Sequence, residues 1–150
     1  MQPGIRILCL CLALCAAGLG TATAEKKGCS DQEEQKAEAA TDNLKTWDAV
    51  YEFYRNYARC DIGGVSEGVS DAVAKLLAHH WELFPAFVVM ADNDNNFEKF
   101  VLRHVNATID WEHDAPKIRE NAQHHCPSNL AQLCKSLLSR TVPPREMGPK

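Results

Sequence analysis

The sequence predicts an all-α protein, a compact bundle of five or six helices stapled by two disulfides. Three observations carry this reading. Apolar residues recur at three- and four-residue steps in one segment after another. No stretch sustains the apolar–polar alternation of a strand. Glycine, proline and Asp/Asn clusters punctuate the chain between these stripes, leaving loops short enough to join antiparallel neighbours around one core.

In chain order, Met1–Arg6 carries a positive charge, Ile7–Leu19 is an apolar run and Ala22-Thr23-Ala24 is a small-x-small site. This reads as an export signal over residues 1–24, too short for a membrane span and expected to be removed. Cys9, Cys11 and Cys15 leave with it. A lipid anchor at Cys15 is disfavoured, because Leu14 stands where a small residue belongs. Residues 25–41 are polar, with Ala37, Ala39 and Ala40 as their main apolar content. They read as an N-terminal arm, mobile or weakly helical, tied down only at Cys29.

Residues 42–141 form the helical domain. Asp42 is placed to cap a helix over Asn43–Arg59, where Trp47, Val50, Tyr51, Tyr54 and Ala58 make one stripe that Phe53 and Tyr57 widen. The Gly63-Gly64 pair ends that segment with a tight reversal. Ser66 opens the next helix, whose stripe is Val69, Ala72, Val73, Leu76, Leu77 and His80. Gly68 in its first turn permits close approach of another helix. Pro85 restarts the pattern into a short apolar helix, Ala86–Ala91. After a polar turn capped at Asn95 or Asn96, Phe97, Phe100, Val101, His104, Val105 and Thr108 form a further stripe. Asp114 caps Ala115–His125, with Pro116 tolerated in the first turn. Ser128 caps a last helix through Leu130, Leu133, Cys134, Leu137 and Leu138. Residues 142–150, with three prolines and Gly148, read as a disordered tail.

Without the signal the chain carries 15 basic and 20 acidic residues. Phosphate contacts need a basic face, so nucleic acid is not an expected partner. No other segment is apolar enough to cross a membrane.

Four cysteines remain, Cys29, Cys60, Cys126 and Cys134, and they place the protein in an oxidising compartment as two disulfides. If Cys126–Cys134 is mostly helix, its ends lie ~12 Å apart, whereas a disulfide wants Cα atoms within about 7 Å. That disfavours Cys126–Cys134, and Cys29–Cys60 with it. Of the two connectivities left, Cys60–Cys126 with Cys29–Cys134 is the expected one, since Cys60 and Cys126 both sit at helix ends. No Cys-x-x-Cys pair offers redox chemistry.

The remaining constellations carry little chemistry. Two histidine doublets, His79-His80 and His124-His125, lack the spacing of a helical metal site, though a bundle could bring them together. Asp92–Asn96 with Glu98 departs from a calcium loop, which would want glycine at Phe97 and glutamate at Arg103. No nucleophile elbow or phosphate loop is present. No cofactor is expected. Asn106-Ala107-Thr108 is a glycosylation sequon, meaningful in a eukaryotic secretory pathway.

The stretch Arg59-Cys60-Asp61-Ile62-Gly63-Gly64-Val65-Ser66-Glu67-Gly68-Val69-Ser70-Asp71-Ala72-Val73, with Phe100-Val101-Leu102-Arg103-His104 and Cys126-Pro127, resembles small exported helical proteins of Gram-negative bacteria of no established activity. The resemblance implies a periplasmic helical domain. In size, export, helicity and cysteine use the chain is also loosely similar to periplasmic immunity proteins that neutralise cell-wall-degrading effectors.

The expected function is therefore protein binding in the periplasm, inhibitor- or immunity-like, with one periplasmic protein as partner. The expected contact is the polar, glycine-rich turn carrying Asp61, Gly63, Gly64, Glu67 and Asp71. Two alternatives remain. One is an envelope-acting hydrolase using Glu67 or Asp71 as acid or base. The other is a histidine-based metal-handling protein.

Overall fold

The computed structural model describes residues 28–105 and 108–143. The signal, the sequon's Asn106 and the end of the tail from residue 144 lie outside the described residues. Within them the chain forms seven α-helices and no strand: α1 Asp31–Thr41, α2 Trp47–Tyr57, α3 Gly63–His79, α4 Phe84–Asn93, α5 Asn95–His104, α6 Asp114–His124 and α7 Ala131–Arg140. Short 3-10 turns at Ala58–Cys60, Trp81–Leu83 and Ser128–Leu130 join them.

The longest helix, α3, is the centre of the bundle. It packs against α1, α2, α5 and α6, while α7 lies against α6 and α4 against α2 and α5. Its stripe of Val65, Val69, Val73, Leu76 and Leu77 is fully buried, as its periodicity requires. The aromatic residues of α2, α4 and α5 complete the core. Trp47 lies 4.8 Å from Phe87, and Phe87 lies 5.9 Å from Phe97, ring centre to ring centre. Each such pair contributes about 0.5–1.5 kcal/mol beyond the area it buries. In α2 only Trp47, Val50 and Phe53 are buried outright; Tyr51, Tyr54, Tyr57 and Ala58 pack half-buried at the edge of the core.

Residues 31–41 are a built part of the bundle and correct the expectation of a weakly held arm. Ser30 and Glu33 form a reciprocal capping box at the start of α1, which satisfies two otherwise orphaned backbone donors. Glu33 also pairs with Arg59, Ala37 is wholly buried, and Thr41 abuts α3. Several boundaries move too. Asp42 follows α1, and Thr46 caps α2 by accepting from the Ala49 N–H. Gly63 and Gly64 lie in the first turn of α3, where Gly63 takes a positive φ of 52°. Asp94 caps α5, which stops at His104, short of Thr108. Asp114 is a buried residue of α6 rather than its cap.

The disulfides correct the pairing argument. Cys29 is bonded to Cys60 and Cys126 to Cys134, with Cα atoms 4.9 Å and 6.2 Å apart. The assumption that failed is a helix running from Cys126 to Cys134. Pro127 has extended backbone and Ser128–Leu130 is a tight 3-10 turn, so the chain folds back before α7 begins at Ala131. Proline at the start of such a turn blocks continuation of α6. Cys29 precedes α1 and Cys60 follows α2, so two helices in series return the chain to its starting point.

Non-reducing peptide mapping should recover the pairs Cys29–Cys60 and Cys126–Cys134. The first closes 31 residues and the second 8. Loop-closure entropy makes them worth about 3.7 and about 2.5 kcal/mol. Replacing Cys29 and Cys60 together with serine should therefore lower the melting temperature more than replacing the other pair. The opposite order contradicts this account.

Candidate functional site

The turn singled out by the sequence divides into an inward and an outward part. Asp61 faces inward. Its side chain is 4% exposed, and its Oδ2 accepts from Arg103 at 2.6 Å and lies 3.1 Å from His104 Nε2. On the far side of the ring, His104 Nδ1 lies 2.9 Å from Ser70 Oγ. This corrects the placing of Asp61 on a contact surface.

Ser70, His104 and Asp61 thus follow one another in the order of a hydrolytic triad. Triads are recognised by geometry and access, and access is missing here. Ser70 and His104 are each 1% exposed. The Ser70 hydroxyl donates to the Ser66 carbonyl of its own helix at 2.8 Å, so its proton is engaged elsewhere. The trio acts as a tether, joining the end of α5 to α3 and to the turn before it. Burial alone would raise the Asp61 carboxyl, but the hydrogen bond and charge of His104, with the Arg103 hydrogen bond, outweigh it and hold it down at about 2.

Gly63, Gly64, Glu67 and Asp71 face outward. Beside them two hollows of about 590 Å³ and about 510 Å³ meet at Thr41 and Asp42. They lie on either side of the Thr41–Gly68 contact and line the groove between α3 and the wall made by α1 and the loop after it. Gly64, Gly68, Asp71 and Lys75 line the α3 side, ending at His80. Gln35, Glu38, Thr41, Asp42 and Lys45 line the other. Leu44, Ala72 and Leu76, all under 10% exposed, form the floor. An apolar floor with a few polar groups at its rim, in this volume range, is the usual form of a binding site. Gly68 is what lets the walls meet: a Cβ there would come within 2.8 Å of Thr41 Cβ. Glu67 stands outside the lining, and Asp71 is held by Lys75 at 2.7 Å with both side chains well exposed. Ile62, 59% exposed, marks the outer end of the turn.

The histidines divide differently from the doublets. His79 Nε2 lies 2.8 Å from the buried Asp114 of α6, while His80 meets Glu82 at 3.2 Å. Asn121 donates to the Leu77 and Ala78 carbonyls and so ties α6 to the end of α3. Among the described residues no three His, Cys, Asp or Glu side chains are grouped as a metal site would need. No helix among them is long and apolar enough to cross a membrane.

No family model matches the chain, and no curated protein or solved structure shows a significant similarity to it.

Sequence reasoning missed the tether and the groove. The tether left a signal: Ser70 stands beside Val69 on the buried face of α3, and His104 on the stripe of Phe100 and Val101. Two polar residues on core stripes have to find partners. The groove's α1 wall left none, because a polar, alanine-rich segment looks alike whether packed or free.

The tether has a pH signature. The Asp61 carboxyl sits at about 2 in the folded chain against about 3.9 when unfolded. Its stabilisation is therefore complete above about pH 4 and is lost as pH falls toward 2, amounting to about 2 kcal/mol. Glu33, also lowered to about 2 by its hydrogen bond to Arg59, titrates in the same window, so the comparison must be with Asp61→Asn. That variant should be less stable at pH 7 and should lose less stability than the wild type between pH 4 and 2. Equal acid dependence in the two proteins would rule the tether out.

Proposed function

We propose that the protein is an exported, periplasmic binding protein that recognises another polypeptide through the α1–α3 groove, in the manner of an inhibitor or immunity protein. The observation that carries this is the groove itself. It lies beside Gly63, Gly64, Glu67 and Asp71, has an apolar floor and charged rims, and is built on rigid helices. Two cross-connections hold its α1 wall, Cys29–Cys60 and Glu33–Arg59. Pre-organisation of this kind lowers the ordering cost of binding. The disulfides are compatible with an oxidising compartment.

One observation favours a second reading. Asp71, Asp42 and His80 line the same concave groove, and acid–base hydrolysis needs such groups around one substrate. Against it, the Asp71 carboxylate is engaged by Lys75 in a solvated ion pair. The binding reading needs no such group to be released.

A photo-crosslinking residue placed at Asp42 in living cells should give one discrete protein adduct. The same residue at Glu112, away from the groove, should not. The same adduct from both positions, or none from Asp42, contradicts the binding reading. Turnover of envelope material that is lost in Asp71→Asn favours the hydrolase instead.

A further inference from the structure

The groove is electrically polar along its length, and this polarity specifies what fits it. At their contact α1 and α3 run in the same direction. A Cβ on Gly64 would lie 3.7 Å from Glu38 Oε1, and Gly68 abuts Thr41 one turn further on. The chain then continues through Asp42 to Lys45 alongside Ala72, Lys75 and His80. Charges on the two walls therefore stand in register. Glu38 and Asp42 stand toward the Gly64 end and Lys45 toward the other; between them on α3 Asp71 and Lys75 form an ion pair whose carboxylate lies on the Gly64 side and whose ammonium lies on the His80 side.

Carboxylates early in a helix and cations late in it complement the macrodipole. On α1 the order is the reverse. Glu38 lies in its last turn and Asp42 follows it, with no basic residue in that turn. Carboxylates at a helix C-terminus oppose the macrodipole, so the acidic half of the groove is placed against the stability of the helix that bears it.

From this, and resting on the docking reading above, we infer that the groove takes an extended segment of a partner protein with separated charges. Cationic side chains lie at the Gly64 end, an aliphatic centre lies on Leu44 and Leu76, and carboxylates lie at the His80 end. Sixteen helical residues from Gly64 to His80 span ~24 Å, which about seven extended residues cover. A uniformly basic segment would meet Lys45 and Lys75, and a uniformly acidic one Glu38 and Asp42. Rim charges of this sort act chiefly as a selector.

The probe is an end-blocked peptide, KKALAEE, compared with KEALAKE of the same composition, titrated into the ¹⁵N-labelled, oxidised mature protein. KKALAEE should shift the amides of Gly64, Gly68 and Lys75 and bind about ten-fold tighter than KEALAKE, the gain of a few rim pairs. A nitroxide on its N-terminal blocking group should broaden Gly64 more than His80. Glu38→Lys should erase the preference while leaving the melting temperature unchanged or higher, which separates recognition from folding. Equal affinity of the two peptides, or equal broadening at both ends, overturns the polarity and leaves docking in the groove standing. No groove shift with either peptide overturns both.

Discussion

The arrangement depends on one buried charge. Asp61 lies just before α3, and its carboxylate is held beneath the surface by His104 and Arg103 of α5. A buried carboxylate without partners would neutralise or unfold its surroundings. With these partners it fixes the end of α5, the start of α3 and the turn between α2 and α3 in one place. Cys60, next in the chain, carries the constraint onward through its disulfide to Cys29 and so to the start of α1. A core contact and a covalent bond, one residue apart, set the separation of α1 and α3.

That separation gives the groove its form. Helices pack closest where side chains are smallest, and Gly68 admits Thr41 at a distance no other residue would allow. Beyond that contact the α1–α2 loop diverges from α3, and the space opens over Leu44, Ala72 and Leu76. The working surface and the core thus share residues on successive turns of α3. Ser70 faces His104 inside, while Asp71 faces solvent. A change to one side of this helix is transmitted to the other through a rigid, close-packed interior.

Much of this was legible in the sequence, and the failures have particular causes. The all-α class followed from periodicity, because Val69, Val73 and Leu77 or Phe97, Phe100 and Val101 admit no other geometry. Gly68 was read as a close-approach residue, and the structure places Thr41 against it. The disulfide pairing is not legible in the spacing because Pro127 stops the helix that would run on from Cys126. The arm reads as weakly held because, among its described residues, Ala37 alone is fully buried, and a single alanine gives no stripe to detect. Asp61, for its polarity, reads as a surface residue. Its partners, Arg103 and His104, stand 42 and 43 positions away, and such pairings are set by tertiary packing alone.

The central claim is that α1 is held in place as a wall of the groove by the Cys29–Cys60 node. Native-state hydrogen exchange on the wild type and on the variant with both cysteines replaced by serine tests it most directly. The account predicts that the amides of Glu34–Thr41 lose protection as a unit in the variant, opening well below the global unfolding free energy, while those of α3, α5 and α6 keep theirs relative to global stability. Unchanged protection across α1, or a uniform loss across every helix, would contradict it.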